Sequence, residues 1–311
     1  MLTSTAASTA AAGPRASSLR RVAPIAAVLA SMTCVQVGAA VSVPLFGTFG
    51  VAGTTWLRLA LAAVILLAAV RPRGIARADL PAISLLGLVM AGNAVAFSEA
   101  TDRIPLGVTV AVEFCGPLSV AAFGARAGGA RRLVWPVLAL AGVLLLTRPW
   151  SIGGASAETT WTGLGFAAVA GAGWGAYIVL TAHVGRRSEG LAGLAVAFPA
   201  AAIALAPFAA AQTWPALRAA ALGSMPDLRA LGLCAVAALL VPLAAYALEM
   251  AALRRIPQSV FGVWMALEPA IGAVVGVLLL SQTLGLLDLP GLALVVLAGV
   301  GAQRASGPDR D

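Results

Sequence analysis

Lysine is absent: all 20 basic residues among the 311 are arginine. A strong codon bias produces that as readily as a functional demand does, so the absence by itself assigns nothing. Charge of either sign is scarce. Only 10% of the chain is Asp, Glu, Lys or Arg, against 60% hydrophobic residues and a mean hydropathy of +0.97. A soluble domain carries roughly a quarter charged residues, so this chain cannot cover itself for water. The net charge of +8 and pI near 11.1 do not point to nucleic acid, because the arginines are scattered at the ends of apolar runs and form no basic face. There is one histidine, and there is no GxxxxGK[ST], HExxH or GxSxG string. A built-in ATPase, a zinc hydrolase and an α/β-hydrolase are thereby excluded, and the chain reads as a non-enzyme with no cofactor or metal. Cys34, Cys115 and Cys234 all sit inside apolar runs, far from any CxxC or CxxH spacing, and read as small core residues.

What the chain has in abundance is apolar runs about long enough to cross a bilayer. They lie at 23–43, 49–70, 80–99, 104–124, 132–148, 162–182, 191–211, 229–250, 257–280 and 285–303. The expected fold is an all-α integral membrane protein of about ten transmembrane helices. The Ala/Ser/Thr-rich residues 1–22 read as a disordered tail, 23–148 as a first set of five helices, 149–161 as a connection, 162–303 as a second set, and 304–311 as a tail. With the amino terminus inside, fifteen arginines fall in inside segments and four outside, with Arg58 alone within a span. That bias predicts two cytoplasmic termini. Five is odd, so the second set enters the membrane from the opposite side, and the two sets are inverted repeats.

A duplication supports the division. At an offset of 152 residues, Arg103, Ile104, Pro105, Pro117 and Gly124 fall on Arg255, Ile256, Pro257, Pro269 and Gly276. Each copy also holds one deep glutamate, Glu113 or Glu268, but these do not superimpose: Glu113 aligns with Met265 and Glu268 with Gly116. The copies share a frame and differ in chemistry. Inverted repeats with buried carboxylates are a pattern of secondary transporters, with substrate bound near the midplane.

A charge at a helix centre costs about 2.5–3.5 kcal/mol on insertion scales. Glu113 lies near the middle of its span and Glu268 about twelve residues into its own, neither with a basic residue in helical reach. Each is expected to face a cavity, carry a proton, or both. Two readings stay open: hydrogen bonding to a neighbouring helix, or loading protons and pairing with a substrate ammonium. Helical spacing puts Gly116 and Gly272 beside them, allowing close helix approach or room for a ligand. Pro117 and Pro269 weaken the backbone ladder and free carbonyls nearby. Gln36 and Asn93 either line the site or bond between helices. Arg58 either attracts a substrate carboxylate or anchors its helix, and the anchor is favoured. Glu99 and Glu249 read as interfacial, and Gly171-x-x-x-Gly175 as a packing motif.

The strings Ile104-Pro-Leu-Gly-Val-Thr-Val-Ala-Val-Glu113-Phe-Cys-Gly-Pro117-Leu, Gln36-Val-Gly-Ala-Ala and Gly92-Asn93 resemble those of RhtA-type threonine/homoserine exporters. These belong to the drug/metabolite transporter superfamily, built of EamA domains. Tyr246-Ala-Leu-Glu249-Met-Ala-Ala-Leu and Phe261-Gly-Val-Trp-Met-Ala-Leu-Glu268-Pro269-Ala resemble the matching signature in the second half, and the likeness runs from about 23 to 303. The resemblance implies ten helices in two EamA repeats of a bacterial inner-membrane exporter that exchanges small neutral amino acids for protons. Gln282 stands where that family commonly has a glutamate, and Val43 where it commonly has a lysine. Both departures remove a charge, and broad-range drug or metabolite efflux on the same scaffold is the alternative. The partners expected are a small-molecule substrate, protons and the lipid bilayer, and a homodimer is compatible with the sequence.

Overall fold

The structure is a computed structural model that describes residues 14–70, 72, 75–124, 134–147, 157–185, 192–253, 255, 261 and 264–305. Its elements are α1 (Pro14–Ser42), the single turn α2 (Phe46–Phe49), α3 (Val51–Val70), α4 (Leu80–Arg103), α5 (Leu106–Gly124), α6 (Val134–Thr147), α7 (Ala157–Gly185), α8 (Ala192–Ala221), α9 (Met225–Ala238), α10 (Tyr246–Leu253), α11 (Glu268–Leu280) and α12 (Asp288–Ala305). A π-helical segment, Leu239–Ala245, joins α9 to α10 into one rod, and Pro242, which has no N–H to donate, lies within it. Among the described residues, ten helical rods correspond to the ten expected spans. Five of them are long and apolar enough to cross a membrane, and α5, α6, α11 and α12 are shorter apolar helices. Ile203, Phe208, Leu88 and Leu278 point outward, the apolar exterior that lipid requires.

Two helices begin earlier than the apolar runs suggested. α1 opens at Pro14, in the stretch read as a tail, and α7 opens at Ala157, in the stretch read as a connection. Proline suits a first helical position because its missing N–H would have no intrahelical partner there.

The packing carries the inverted symmetry directly. Number the rods one to ten, with α1, α3, α4, α5 and α6 as the first five. Among the close pairings are third with sixth and eighth with first, fourth with sixth and ninth with first, and third with seventh. Exchanging each rod with the one five later turns the first two sets of partners into each other. The second also packs on the seventh, the fourth on the ninth and the fifth on the tenth, pairs that the exchange leaves unchanged.

A two-fold axis in the membrane plane requires those self-paired rods to run antiparallel, and they do. Leu106 and Val110 of α5 meet Gly276 and Gly272 of α11, while Trp135 and Gly142 of α6 meet Gly301 and Gly291 of α12. α3 begins beside the end of α8, where Gly53 N–H donates to Gln212 Oε1 (3.3 Å). A second glutamine does the same for α5: Leu106 N–H donates to Gln282 Oε1 (3.1 Å). Two helix starts of the first repeat are therefore capped from the second, which ties the repeats together at one end of the bundle.

Candidate functional site

Antiparallel register between α5 and α11 fixes where the two deep carboxylates lie. Leu106 opposite Gly276 and Val110 opposite Gly272 continue, residue for residue, to Phe114 opposite Glu268. Glu113 and Glu268 therefore sit at the same depth on neighbouring helices, and both are buried. They lie within electrostatic reach of one another.

The prolines reach this arrangement differently. Pro117 rides inside α5, which continues through it. With no N–H, Pro117 leaves the Glu113 carbonyl without its helical donor. Gly171 of α7 packs over that carbonyl: a Cβ on Gly171 would lie 2.9 Å from Glu113 O, and one on Gly116 only 1.8 Å from Gly171 O. The Gly171/Gly175 motif thus brings α7 backbone-to-backbone against α5, as its spacing suggested.

Pro269 instead stands in the first turn of α11, after a turn at 266–267, and Glu268 is that helix's first residue. The apolar run 257–280, into which Glu268 falls about twelve residues, therefore carries its backbone break just before Glu268, where Pro269 is expected to weaken the ladder. Pro269 has no N–H for the Met265 carbonyl, so the helix restarts where the proline is harmless. Residues 256–260, with the duplicated Ile256-Pro257, lie outside the described residues.

Each carboxylate is met by one amide. Gln36 Nε2 of α1 donates to Glu268 Oε1 (3.3 Å). Asn93 Nδ2 of α4 donates to Glu113 Oε1 (3.2 Å) and to the Ala170 carbonyl of α7 (2.7 Å). Gln36 and Asn93 thus each bond a glutamate on a neighbouring helix. Gln36 Oε1 and Glu268 Oε2 are buried without a hydrogen-bond partner. Glu113 has its amide shared with a backbone carbonyl, whereas Glu268 keeps one oxygen free to take a proton or a donor.

Arg58 stands apart from this pair. On α3, Thr55 one turn earlier donates to Ser98 of α4 (2.9 Å), and Arg58 lies within electrostatic reach of Cys234 on α9. Among the described residues no carboxylate pairs with it, and its Nε is buried without a partner.

Sequence reasoning missed Glu249. Its place at the end of an apolar run suggests the interface, yet it is only partly exposed on α10 and lies within electrostatic reach of Glu268. The available signal was its distance of more than one helical turn from either arginine. Glu99 does pair at a helix end, with Arg103, whose guanidinium also lies 5.2 Å from the Phe166 ring centre. At that same end a cavity of about 130 Å³ is lined by Pro105, Gly107, Ala273, Gln282 and Asp288 among others.

The arrangement is that of a membrane transporter: buried ionisable groups between two inverted helical repeats. The comparisons agree. Residues 161–301 match the EamA-like transporter family. A threonine/homoserine exporter RhtA of Salmonella typhimurium (strain LT2) is 37% identical over 281 residues, 90% of each chain. The protein of the same name from Escherichia coli (strain K12) is 36% identical over the same share. A solved crystal structure, 20% identical, superposes with a TM-score of 0.56 over 91% of this chain and 96% of its own, which establishes a shared fold. The chain belongs to the EamA-like transporter family, with RhtA-type relatives, and is a multi-pass inner-membrane protein.

Proposed function

We propose that the protein exports small neutral amino acids of the threonine or homoserine kind by proton antiport, with both termini cytoplasmic. The observation that carries this reading is the placement of Glu113 and Glu268 at one depth between the repeats, each held by an amide, with Glu268 Oε2 unpartnered. A carboxylate in an apolar interior accepts a proton or a substrate ammonium, and one oxygen cannot serve both at once. That mutual exclusion is a sufficient physical basis for exchange. Protonation from outside releases the ammonium, and deprotonation toward the cytoplasm makes room for the next substrate. Alternating access follows from rocking one repeat against the other about the axis between them. The relatives' threonine and homoserine suit such a site, since both carry an ammonium and a short polar side chain.

The test is efflux from liposomes holding the purified protein. Labelled threonine or homoserine is loaded, a pH gradient is imposed, and release is followed. Release that needs the gradient is the expected result. Gradient-independent release removes the proton from the mechanism, and no release from vesicles with folded protein removes these amino acids as cargo.

A further inference from the structure

We propose that Arg58 is the binding residue for the carboxylate of the transported amino acid, a deepening that rests on the amino-acid reading above. A guanidinium within a span is costly and is retained when it meets a partner or a polar cavity. Arg103 shows what a satisfied arginine looks like here, at a helix end with Glu99 and the Phe166 ring. Arg58 has neither. No carboxylate among the described residues pairs with it, and its Nε is enclosed with no acceptor.

Its position fits the role. α3 and α5 start at the same face of the bundle, and Arg58 and Glu113 each lie seven residues in, about 10 Å deep at the helical rise. One turn before Arg58, Thr55 bonds Ser98 of α4, and Arg58 itself lies within electrostatic reach of Cys234 on α9, which places it beside those two rods. Three residues beyond Cys234, the Ala237 carbonyl and then Val241 pack on Gly38 of α1, two residues from Gln36 and its bond to Glu268. Arg58 is thus separated from the carboxylate pair by α9 and α1, the latter holding Glu268 through Gln36 on the face away from Gly38. Among the described residues, Glu113 and Glu268 suit an ammonium, and Arg58, which no carboxylate pairs, suits a carboxylate, the two charges a zwitterion presents. The planar fork of arginine binds carboxylate through two parallel hydrogen bonds, which lysine cannot do.

The experiment measures labelled-threonine efflux in proteoliposomes with two arms. In the first, unlabelled threonine and threoninol compete against the wild-type protein; threoninol keeps the ammonium and hydroxyl and lacks the carboxylate. Threonine should compete and threoninol should not. In the second, Arg58→Gln and Arg58→Lys are compared. One charge-assisted pair corresponds to a rise in KM of roughly tenfold to a hundredfold for Arg58→Gln, with Arg58→Lys between it and wild type. Equal competition by threoninol overturns the proposal even where Arg58→Gln does not fold. An unchanged KM in folded Arg58→Gln also overturns it, leaving the amino-acid reading intact. Wild-type protein that moves no amino acid overturns both.

Discussion

The two proline-marked segments began as copies and now hold their glutamates in different ways. In α5 the helix runs on through Pro117, and the freed Glu113 carbonyl is covered by the Gly171 backbone of α7. In the second copy the backbone turns at 266–267 and restarts, so that Pro269 falls in the opening turn and Glu268 at the helix start. Glu113 has an amide that also holds the Ala170 carbonyl, whereas Glu268 has one whose own oxygen is unpartnered. A shared local frame therefore does not fix a shared environment. What decides whether a proline is absorbed or breaks its helix is the neighbour packed beside it. Judged by how fully its amide is bonded, the tighter seat belongs to Glu113 and the looser to Glu268.

The largest effect should come from filling the crossing that lets α5 absorb its proline. Gly116→Leu would drive a side chain into the Gly171 backbone, which cannot yield, and should leave no monodisperse protein on size exclusion. Gly272→Ala, beside Glu268, meets only the Val110 and Gln36 side chains at 3.1–3.2 Å and should cost about 1 kcal/mol or less by thermal denaturation. Equal damage from both would erase the contrast.

Next, Glu113→Gln and Glu268→Gln should each fold yet reduce gradient-driven release to the level of protein-free vesicles. Normal release from both variants would end the role given to them. A loss in Glu268→Gln alone would assign the exchange to the looser seat.

The amides give a smaller test. Asn93→Leu abandons both Glu113 and the Ala170 carbonyl and should cost about 1–3 kcal/mol, while Gln36→Leu abandons one bond and should cost about 1 kcal/mol. The order should show in melting temperatures, and its reversal would contradict the assignment of the tighter seat. Of similar size, Gln282→Ala removes the acceptor for the Leu106 N–H and should lower stability by about 0.5–2 kcal/mol, a loss typical of a missing cap.

The solvent, the all-helical class, the ten rods and the pairing of Pro117 with Pro269 were legible in the chain because each is set locally: by run length, by scarcity of charge, and by proline's missing N–H. Inverted order followed from counting to five, and the antiparallel registers of α5 with α11 and α6 with α12 bear it out. The family strings pointed to the group that the relatives show. Helix starts were less legible, since the polar residues before Ala23 and Trp161 carry no apolar signal and still propagate a helix.

Partnership was not legible at all. Nothing near Gln36 in sequence says that its amide reaches Glu268, 232 residues away, or that Asn93 spans Glu113 and Ala170. Nor does the sequence say that Glu249, with arginines just beyond it, lies within electrostatic reach of Glu268. The types of residue and the periods of the helices determined which side chains would be buried and costly. Only the tertiary packing decided which of them meet, because the register between two helices is set by where glycines let their backbones close, and a shift of one turn there changes every partner.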